Sequence, residues 1–489
     1  MHFFAYAGHS VRTGMITAQF SDAQTWATAH FGAAQLGHKR RTQRLVVSAA
    51  QIADQPHGSL PSKFSWNPLR AVYRLCNCPE VTHSGVTAPH FQATQKRMID
   101  QTNPVLVLHD TTELDFSSHT ALHGTGPIGD GGGRGFLQHN SLAVDATTGE
   151  ILGLAFQQIL TRKPRPQGET RVQRLQRWRE SQLWMQGFQG VGKAPEGRCW
   201  VDIADRGADV FEAMQAARAL GHHFLFRVKQ DRRVRLGPRP TDPAAYLKRL
   251  ARTLAAQATS TVAIPGRGGR PARTARVLLA ARQVWAQVPA IWKPRHPEWE
   301  PMAVWVIRVW EPEPPAQVEE PLEWILLCSL PVETPEQLLE KRSWYERRPL
   351  IEDFHQVEKT GCGEERLRFQ TAAALLPMLG VLSVVAVRIL QLRWWGREPG
   401  QAPAAAAATP EELTVVRGLG HPVSTAREFV RAVAKLGGFL GRRCDGEPGW
   451  KTLWRGYQRL QDLVIGLKLN GKHRPPQGEI VQHKWKPPP

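Results

Sequence analysis

Four side chains in one short run could act together on a phosphate group. They are Tyr345, Arg348, Glu352 and Lys359, in the stretch Tyr345-Glu346-Arg347-Arg348-Pro349-Leu350-Ile351-Glu352-Asp353-Phe354-His355-Gln356-Val357-Glu358-Lys359. On a helix, at about 100° per residue, the four fall within roughly a 60° arc. Leu350, Ile351, Phe354 and Val357 gather on the opposite side. One face can therefore pack on a core while the other presents a phenol, two cations and a carboxylate. A carboxylate can hold a divalent metal, and Arg, Lys and Tyr can hold phosphate oxygens. A solvated face with a few salt bridges uses the same residue types, and spacing alone does not separate the two readings.

Two further acids follow apolar runs. Val105-Leu106-Val107-Leu108 leads through His109 to Asp110-Thr111-Thr112, the pattern of a buried central strand with polar chemistry at its carboxyl end. Cys199-Trp200-Val201-Asp202-Ile203-Ala204 is a second such strand and stops at the turn Asp205-Arg206-Gly207-Ala208-Asp209. An Asp at a strand–helix junction is commonly a helix N-cap; that role is assigned to Asp209 and not to Asp205. Phe224 to Lys229 reads as one more strand, with Arg227 and Lys229 on one face, aimed at phosphates.

The elements that must position these groups can be read along the chain. Trp26 through Ala50 is helical with a break near Leu36-Gly37, and its spacing sets Arg40, Arg41 and Arg44 on one side. The glycines of Gly129 to Gly135 lack a following Gly-Lys-Ser/Thr, which excludes a nucleotide loop. Ser141–Asp145, the turn Thr147-Thr148-Gly149 and Ile151–Phe156 form a hairpin. Residues 169–188 read as helix. Residues 231 to about 323 are Pro- and Arg-rich, with strand-like pieces at Thr261–Ile264, Ala275–Ala281 and Ala303–Trp310 and a basic tip, Arg267 to Arg273, suited to a DNA backbone contact.

Thr334-Pro335-Glu336-Gln337 is a helix start with an N-cap, a proline at the first helical position and a capping-box glutamine. Ala372 to Val387 is apolar, stops at Arg388, and reads as a core helix too short to span a bilayer. Gly396 to Pro410 is a Pro/Ala-rich linker. A last helix runs through Leu460, Leu463, Ile465 and Leu467, and the Lys/Pro-rich tail reads as unstructured.

The 489 residues allow about three domains, each with its own core. Lys and Arg number 63 against 43 Asp and Glu, a net charge of +20 that calls for a polyanionic partner, nucleic acid before an acidic membrane surface. The six cysteines form no repeated C-x2-C pattern and no leader-like segment stands out, so free thiols in a reducing cytoplasm are expected. Cys76-x-Cys78 is at most half a zinc site.

The spacing Tyr345-x2-Arg348-x3-Glu352-x6-Lys359, with Ile351–His355 and Lys359–Gly363 around it, resembles the signature of the insertion-sequence-four group of DDE transposases, in its transposon-five form. The resemblance extends over roughly residues 15–470. It includes Met15-Ile16-Thr17, Trp26, Leu36-Gly37-His38-Lys39-Arg40-Arg41-x2-Arg44-Leu45-Val46, Trp66-Asn67 and Ala71-x-Tyr73-Arg74-Leu75. Further on it includes the Asp205–Asp209 block, Glu180-Ser181-x2-Trp184, Trp324, Ala434–Phe439 and Trp450-x3-Trp454-x2-Tyr457.

The resemblance implies an α/β fold: an RNase H-like mixed sheet with flanking helices, a β-rich insertion, and helical N- and C-terminal domains. The corresponding layout is an extension of unknown role (1–14), a DNA-binding domain (15–100), a catalytic domain (101–395, insertion about 231–323), a linker (396–411) and a dimerisation domain with its tail (412–489). It also implies that Asp110, Asp205 and Glu352 hold two Mg2+ ions, with Mn2+ as a substitute, for in-line phosphodiester chemistry. Tyr345, Arg348, Lys359, Trp324, Arg227, Arg40, Arg41, Arg44 and Arg74 become DNA contacts. In this family a hydrolytic nick frees a 3′-hydroxyl, which attacks the opposite strand to form a hairpin; the reopened end then joins target DNA.

The implied partners are transposon end DNA and target DNA, bound by a homodimer in a synaptic complex in the bacterial cytoplasm at the nucleoid, with no membrane and no small-molecule cofactor. Two departures stand out. Pro349 replaces the family's Trp and removes a helix hydrogen bond, and Gln356 stands where a lysine is usual. A DNA-binding copy that inhibits without cutting, or an RNase H-like nuclease without strand transfer, are the alternatives. Retention of the three acids speaks against the first; Trp324 and the full signature against the second.

Overall fold

The structure is a computed structural model that describes residues 22–472 apart from 56–57, 164–165, 167, 171–172, 174–176, 265, 267–271, 317, 319, 398–401 and 443–444. The extension 1–14, the start at Met15, most of the basic tip, part of the linker, Cys444 and the tail from 473 therefore lie outside the described residues. The chain divides into two compact units, one of them Ala23–Trp394 and the other containing everything from Trp395 onward.

The larger unit begins with helices α1 (Ala23–Phe31), α2 (Lys39–Asp54), α3 (Leu60–Lys63), α4 (Trp66–Cys76) and α5 (His83–Asp100). The chain breaks between α1 and α2 at Gly37, whose φ of 75° suits glycine. His38 then caps α2 by accepting from the Arg40 N–H. Trp26, Phe31, Leu36 and Ile52 are fully buried and form the core of this region.

The sheet follows: β1 (Val105–Asp115), β2 (Gly126–Ile128), β3 (Gly133–Asp145), β4 (Ile151–Leu160), helix α6 (Gln182–Val191), β5 (Trp200–Ala204), α7 (Phe211–Ala219) and β6 (His223–Arg227). β1 lies between antiparallel β3 and parallel β5. The β3–β4 turn is closed by Asp145, whose carboxylate accepts from the N–H groups of Thr147 and Thr148 at 2.8 and 2.7 Å. β1 does not stop at Asp110 as the apolar run suggested. The long partner β3 keeps pairing it residue by residue to Asp115, so Asp110 sits mid-strand opposite Asn140. Of the predicted helix over 169–188, α6 accounts for the part from Gln182; Gln173 is also helical, and residues 171–172 and 174–176 lie outside the described residues.

The β-rich segment comprises β7 (Arg233–Arg235), β8 (Ala244–Tyr246), helix α8 (Leu247–Thr253), β9 (Ala258–Ile264), β10 (Arg273–Ala286) and β11 (Met302–Trp310), and the chain returns through β12 (Glu323–Cys328). It extends the central sheet instead of interrupting it. The strand order is β2-β3-β1-β5-β6-β12-β11-β10-β7-β8, with β4 on β3 and β9 on β10. Next come α9 (Pro335–Tyr345), opened by the full Thr334–Gln337 capping box, then α10 (Pro349–Gln356) and a π-helical turn over Val357–Cys362. The single helix expected over 345–359 is thus split. Pro349 has no N–H to continue α9 and becomes the first residue of α10.

Helix α11 (Ala372–Arg397) is 26 residues long, longer than the apolar run implied, and so long enough to cross a bilayer. Its most apolar 18-residue window is 89% buried inside the protein, which makes it a core helix. It continues past Arg388 because that guanidinium lies over the Trp26 ring of α1, 5.4 Å from its centroid. In the second unit, α12 (Pro410–Gly418) and α13 (Ala426–Leu436) each start with a capping box, and α14 (Trp450–Lys472) closes the described chain. α13 and α14 meet at glycine: a Cβ on Gly456 would lie 1.8 Å from the Val433 carbonyl oxygen. Leu460 is fully buried, whereas Leu463 and Leu467 are 43% and 40% exposed.

Behind β1, on the face away from Asp110, Asp202 accepts from two buried imidazoles, His109 Nε2 and His222 Nδ1, both at 3.0 Å. Burial alone would raise the Asp202 carboxyl, but His222 and His109 outweigh it and hold it below the usual range. That stability is present above the ordinary carboxylate range and is lost as acidification carries the pH through the depressed value. Asp202→Ala leaves the two imidazoles without their anion and is expected to cost about 3–5 kcal/mol, read by urea unfolding near neutral pH. A change below about 1 kcal/mol would contradict the role given to this cluster.

Candidate active site

β1 and β5 set the first two acids side by side. Their parallel register pairs Leu106 with Val201 and Leu108 with Ile203. Continued by two residues on the same face, it brings Asp110 next to Asp205. Asp110 is held by the Thr111 N–H, which donates to Oδ1 at 2.8 Å. Asp205 follows the last residue of β5 and accepts from the Gly207 N–H at 2.7 Å, capping the short turn Arg206–Ala208.

The capping roles are therefore the reverse of those assigned from sequence. Asp205 is the cap, while Asp209 is buried and accepts from the N–H groups of Lys229 and Gln230 and from Arg232. Its partners lie a full strand later, where a local reading does not reach.

α10 packs on β1 and brings the third acid. Glu352 accepts from Arg348, four residues earlier, and the same guanidinium stands 3.6 Å from Asp110 Oδ2. Arg348 thus bridges two of the acids. Burial opposes its charge, but Tyr345, Glu352, Asp110 and Asp205 outweigh burial and hold its pKa above the ordinary value. Asp110 is pushed up to about 6, by burial first and then by the charges of Asp205 and Glu352, against the pull of Arg348. Among the described residues, no three acid, histidine or cysteine side chains stand as a ready-made cation cage. Arg348 is interposed between two of the candidates.

The remaining signature residues separate. Tyr345, the last residue of α9, is 4% exposed, and its phenol is raised by burial against the pull of Arg348 and Arg227. Its ring meets Trp324 edge-on, with centroids 5.4 Å apart. Trp324 itself, on β12 opposite Val309, is half-buried. Arg227, at the end of β6, donates to the Glu323 carbonyl at 3.3 Å and is lowered by burial.

Lys359 does not join this group. It sits in the π-helical turn and donates to the Glu113 carbonyl, with Glu365 3.9 Å away. Glu113 and Glu365 were not singled out in the sequence. Nor was Arg206, whose charge acts on both Tyr345 and Arg227 although it lies inside the recognised Asp205–Asp209 turn.

In the N-terminal helices, Arg40, Arg44 and Arg74 are exposed. Arg41 is half-buried and already engaged. It donates to the Leu36 carbonyl at 2.9 Å and pairs with Glu80 at 3.4 Å, so it closes the α1–α2 turn. Trp66, 69% exposed, lies under Arg70 at 5.8 Å. That combination of aromatic and cation is one a nucleic-acid surface uses.

Two family models match the chain. A transposase DNA-binding domain covers residues 23–81, the segment of α1 to α4 that carries Arg40, Arg41, Arg44, Trp66 and Arg74. A Tn5 transposase dimerisation domain covers residues 384–473, from the second half of α11 through α14. DNA binding and dimer formation are thus built into the two ends of the match, and the mixed sheet with its flanking helices stands between them in sequence. With both end domains of this kind on one chain, the matches support a Tn5-like transposase of the insertion-sequence-four group.

Proposed function

We propose that this transposase works as a cut-and-paste DDE enzyme, with Asp110, Asp205 and Glu352 as its metal-holding acids and a DNA hairpin on its path. The observation that carries the reading is the charge collected around Arg348. One guanidinium bridges Asp110 and Glu352, and Asp205, beside Asp110 in register, adds its charge to Asp110 and to Arg348.

A divalent-metal requirement is general to this transposase family, and the donor set here fits one. All three groups are carboxylates, hard oxygen ligands that suit Mg2+ or Mn2+ and not a thiolate-seeking metal. Burial first, and then the charges of Asp205 and Glu352, raise the Asp110 carboxyl against the pull of Arg348. When bound, two such ions supply nucleophile activation and leaving-group stabilisation.

The chain's own residues do the positioning. Arg348, once it exchanges its carboxylate partners for phosphate, can hold the strand being cut as a bidentate donor. Arg227 and the Tyr345 hydroxyl lie beside it. A hairpin needs a base out of the stack, at a cost of a few kcal/mol. Trp324, backed by the edge of Tyr345 and half-exposed, is the platform on which that base rests. Lys359, held by Glu113 at the edge of β1, meets the backbone further along. Leu463 and Leu467, four residues apart on α14, form the apolar face that a second copy covers.

Three measurements test this. With Mg2+ and the element's own end DNA, the parent should yield hairpin ends and Asp110→Ala none, while gel-shift binding persists. Cutting by Asp110→Ala would reject the assignment. Trp324→Ala should slow hairpin formation by about 5- to 150-fold, the equivalent of 1–3 kcal/mol of stacking, and leave first-strand nicking near the parent rate. Equal loss in both steps would remove the stacking role. Leu463→Glu with Leu467→Glu should shift the protein to monomer in light scattering without loss of helix by circular dichroism. A persistent dimer would move the interface elsewhere.

A further inference from the structure

Glu358 is fully buried, six residues beyond Glu352 on the same continuous segment. Its two oxygens are occupied by amides from the sheet. Oε2 accepts from Gln138 Nε2 at 2.9 Å and Asn140 Nδ2 at 3.3 Å, and Oε1 accepts from Gln157 Nε2 at 3.1 Å. Gln157 Nε2 also donates to Asn140 Oδ1 at 2.7 Å and lies 2.9 Å from Ser383 Oγ of α11. Its own carbonyl meets His83 of α5 at 2.8 Å. A second buried acid, Glu364, receives the Ser383 hydroxyl at 3.4 Å.

The strand register says what this network is attached to. Asn140 is the cross-strand partner of Asp110, and Gln138 that of Thr112. Directly opposed residues of an antiparallel pair share one face of the sheet. The amides that grip Glu358 therefore stand on the same face of β1–β3 as Asp110, next to it. Glu352 has no such tether: its partner is Arg348, on its own segment.

We propose that Glu358 is a positioning residue for the reaction: through Gln138 and Asn140 it locks the segment carrying Glu352 in register on the strand pair carrying Asp110. The inference rests on the reading of Asp110 and Glu352 given above. Glu358 touches neither acid and fixes their spacing from behind. The π-helical turn over Val357–Cys362 belongs to the same device, since it is in this turn that the Glu358 side chain enters the sheet's amide cluster. Burial pushes the Glu358 carboxyl up to about 8, against its amide partners and Lys359. The amide hydrogen bonds to both of its oxygens make such a group tolerable there.

The test uses the full chain bound to a pre-cleaved end, titrated with Mn2+ by calorimetry, together with cleavage of intact ends against Mg2+ concentration. Glu358→Gln keeps the volume but turns an acceptor oxygen into a donor facing the three amides; Glu358→Ala removes the grip. Both variants should need about 10- to 100-fold more cation in both assays, the usual effect of losing a supporting partner. Glu358→Gln should keep the parent's fold by circular dichroism and its end-DNA affinity, with a melting temperature lowered less than that of Glu358→Ala. Parent-like Mn2+ affinity in both variants would overturn the proposal, as would a loss confined to Glu358→Ala that follows its melting temperature. Asp110→Ala, run in parallel, separates the two readings. If it still cuts, the site itself is wrongly placed. If it is dead while the Glu358 variants bind Mn2+ like the parent, only the positioning role falls.

Discussion

Carboxylates repel one another, and a partly buried group of them is held together by a positive charge among them. In this protein the charge comes from Arg348, inserted between Asp110 and Glu352 with Asp205 close enough to be felt. The β1–β5 register, the break at Pro349 and the packing of α10 on β1 all serve to bring these groups to one place. The arrangement also explains why Arg348 and Glu352 are four residues apart. In one helical turn, an arginine at that spacing reaches its own acid and still extends toward the sheet.

Much of the architecture was legible in local patterns. The apolar runs ending near Asp110 and Asp205, the Asp145 turn, the Gly37 break and the Thr334 capping box are short-range signals, and each produced its element. What could not be read depends on partners far away in sequence. Asp209 looked like a helix cap until Lys229, Gln230 and Arg232 supplied its hydrogen bonds. Arg41 looked like a free cation because Glu80 is a distant partner. α11 outran its apolar core because Arg388 found the Trp26 ring and Gln391 the Ile151 carbonyl, 2.9 Å away. At the site, residue types and spacing pointed to a shared face for Tyr345, Arg348, Glu352 and Lys359. The proline and the π-helical turn divide that face into three pieces, and Lys359 turns to Glu113. Glu358 went unnoticed for the same reason, since every amide that holds it belongs to β3 or β4.

The β-rich segment is joined to the site through main-chain hydrogen bonds. β12 pairs with β6 on one side and with β11 on the other, so Trp324 and Arg227 belong to the same sheet as the long β10–β11 ribbon. Glu323 strengthens this junction by pairing with Arg308 at 3.0 Å and Arg252 at 2.7 Å while its carbonyl accepts from Arg227. Trp324 is thereby held by the strands beyond β12 as well as by β6.

The close approach of α13 and α14 fixes only the first half of the longer helix. At Gly456 the two backbones are in van der Waals contact, with no room for even a methyl group. By Leu463 the helix has left that shelter, and its apolar side chains are exposed to water. A rod clamped at its base and greasy toward its tip has a built-in direction of growth. Evolution can lengthen, shorten or redecorate the free half without disturbing the clamp, so pairing preference between related elements can drift there while the fold of the unit stays the same.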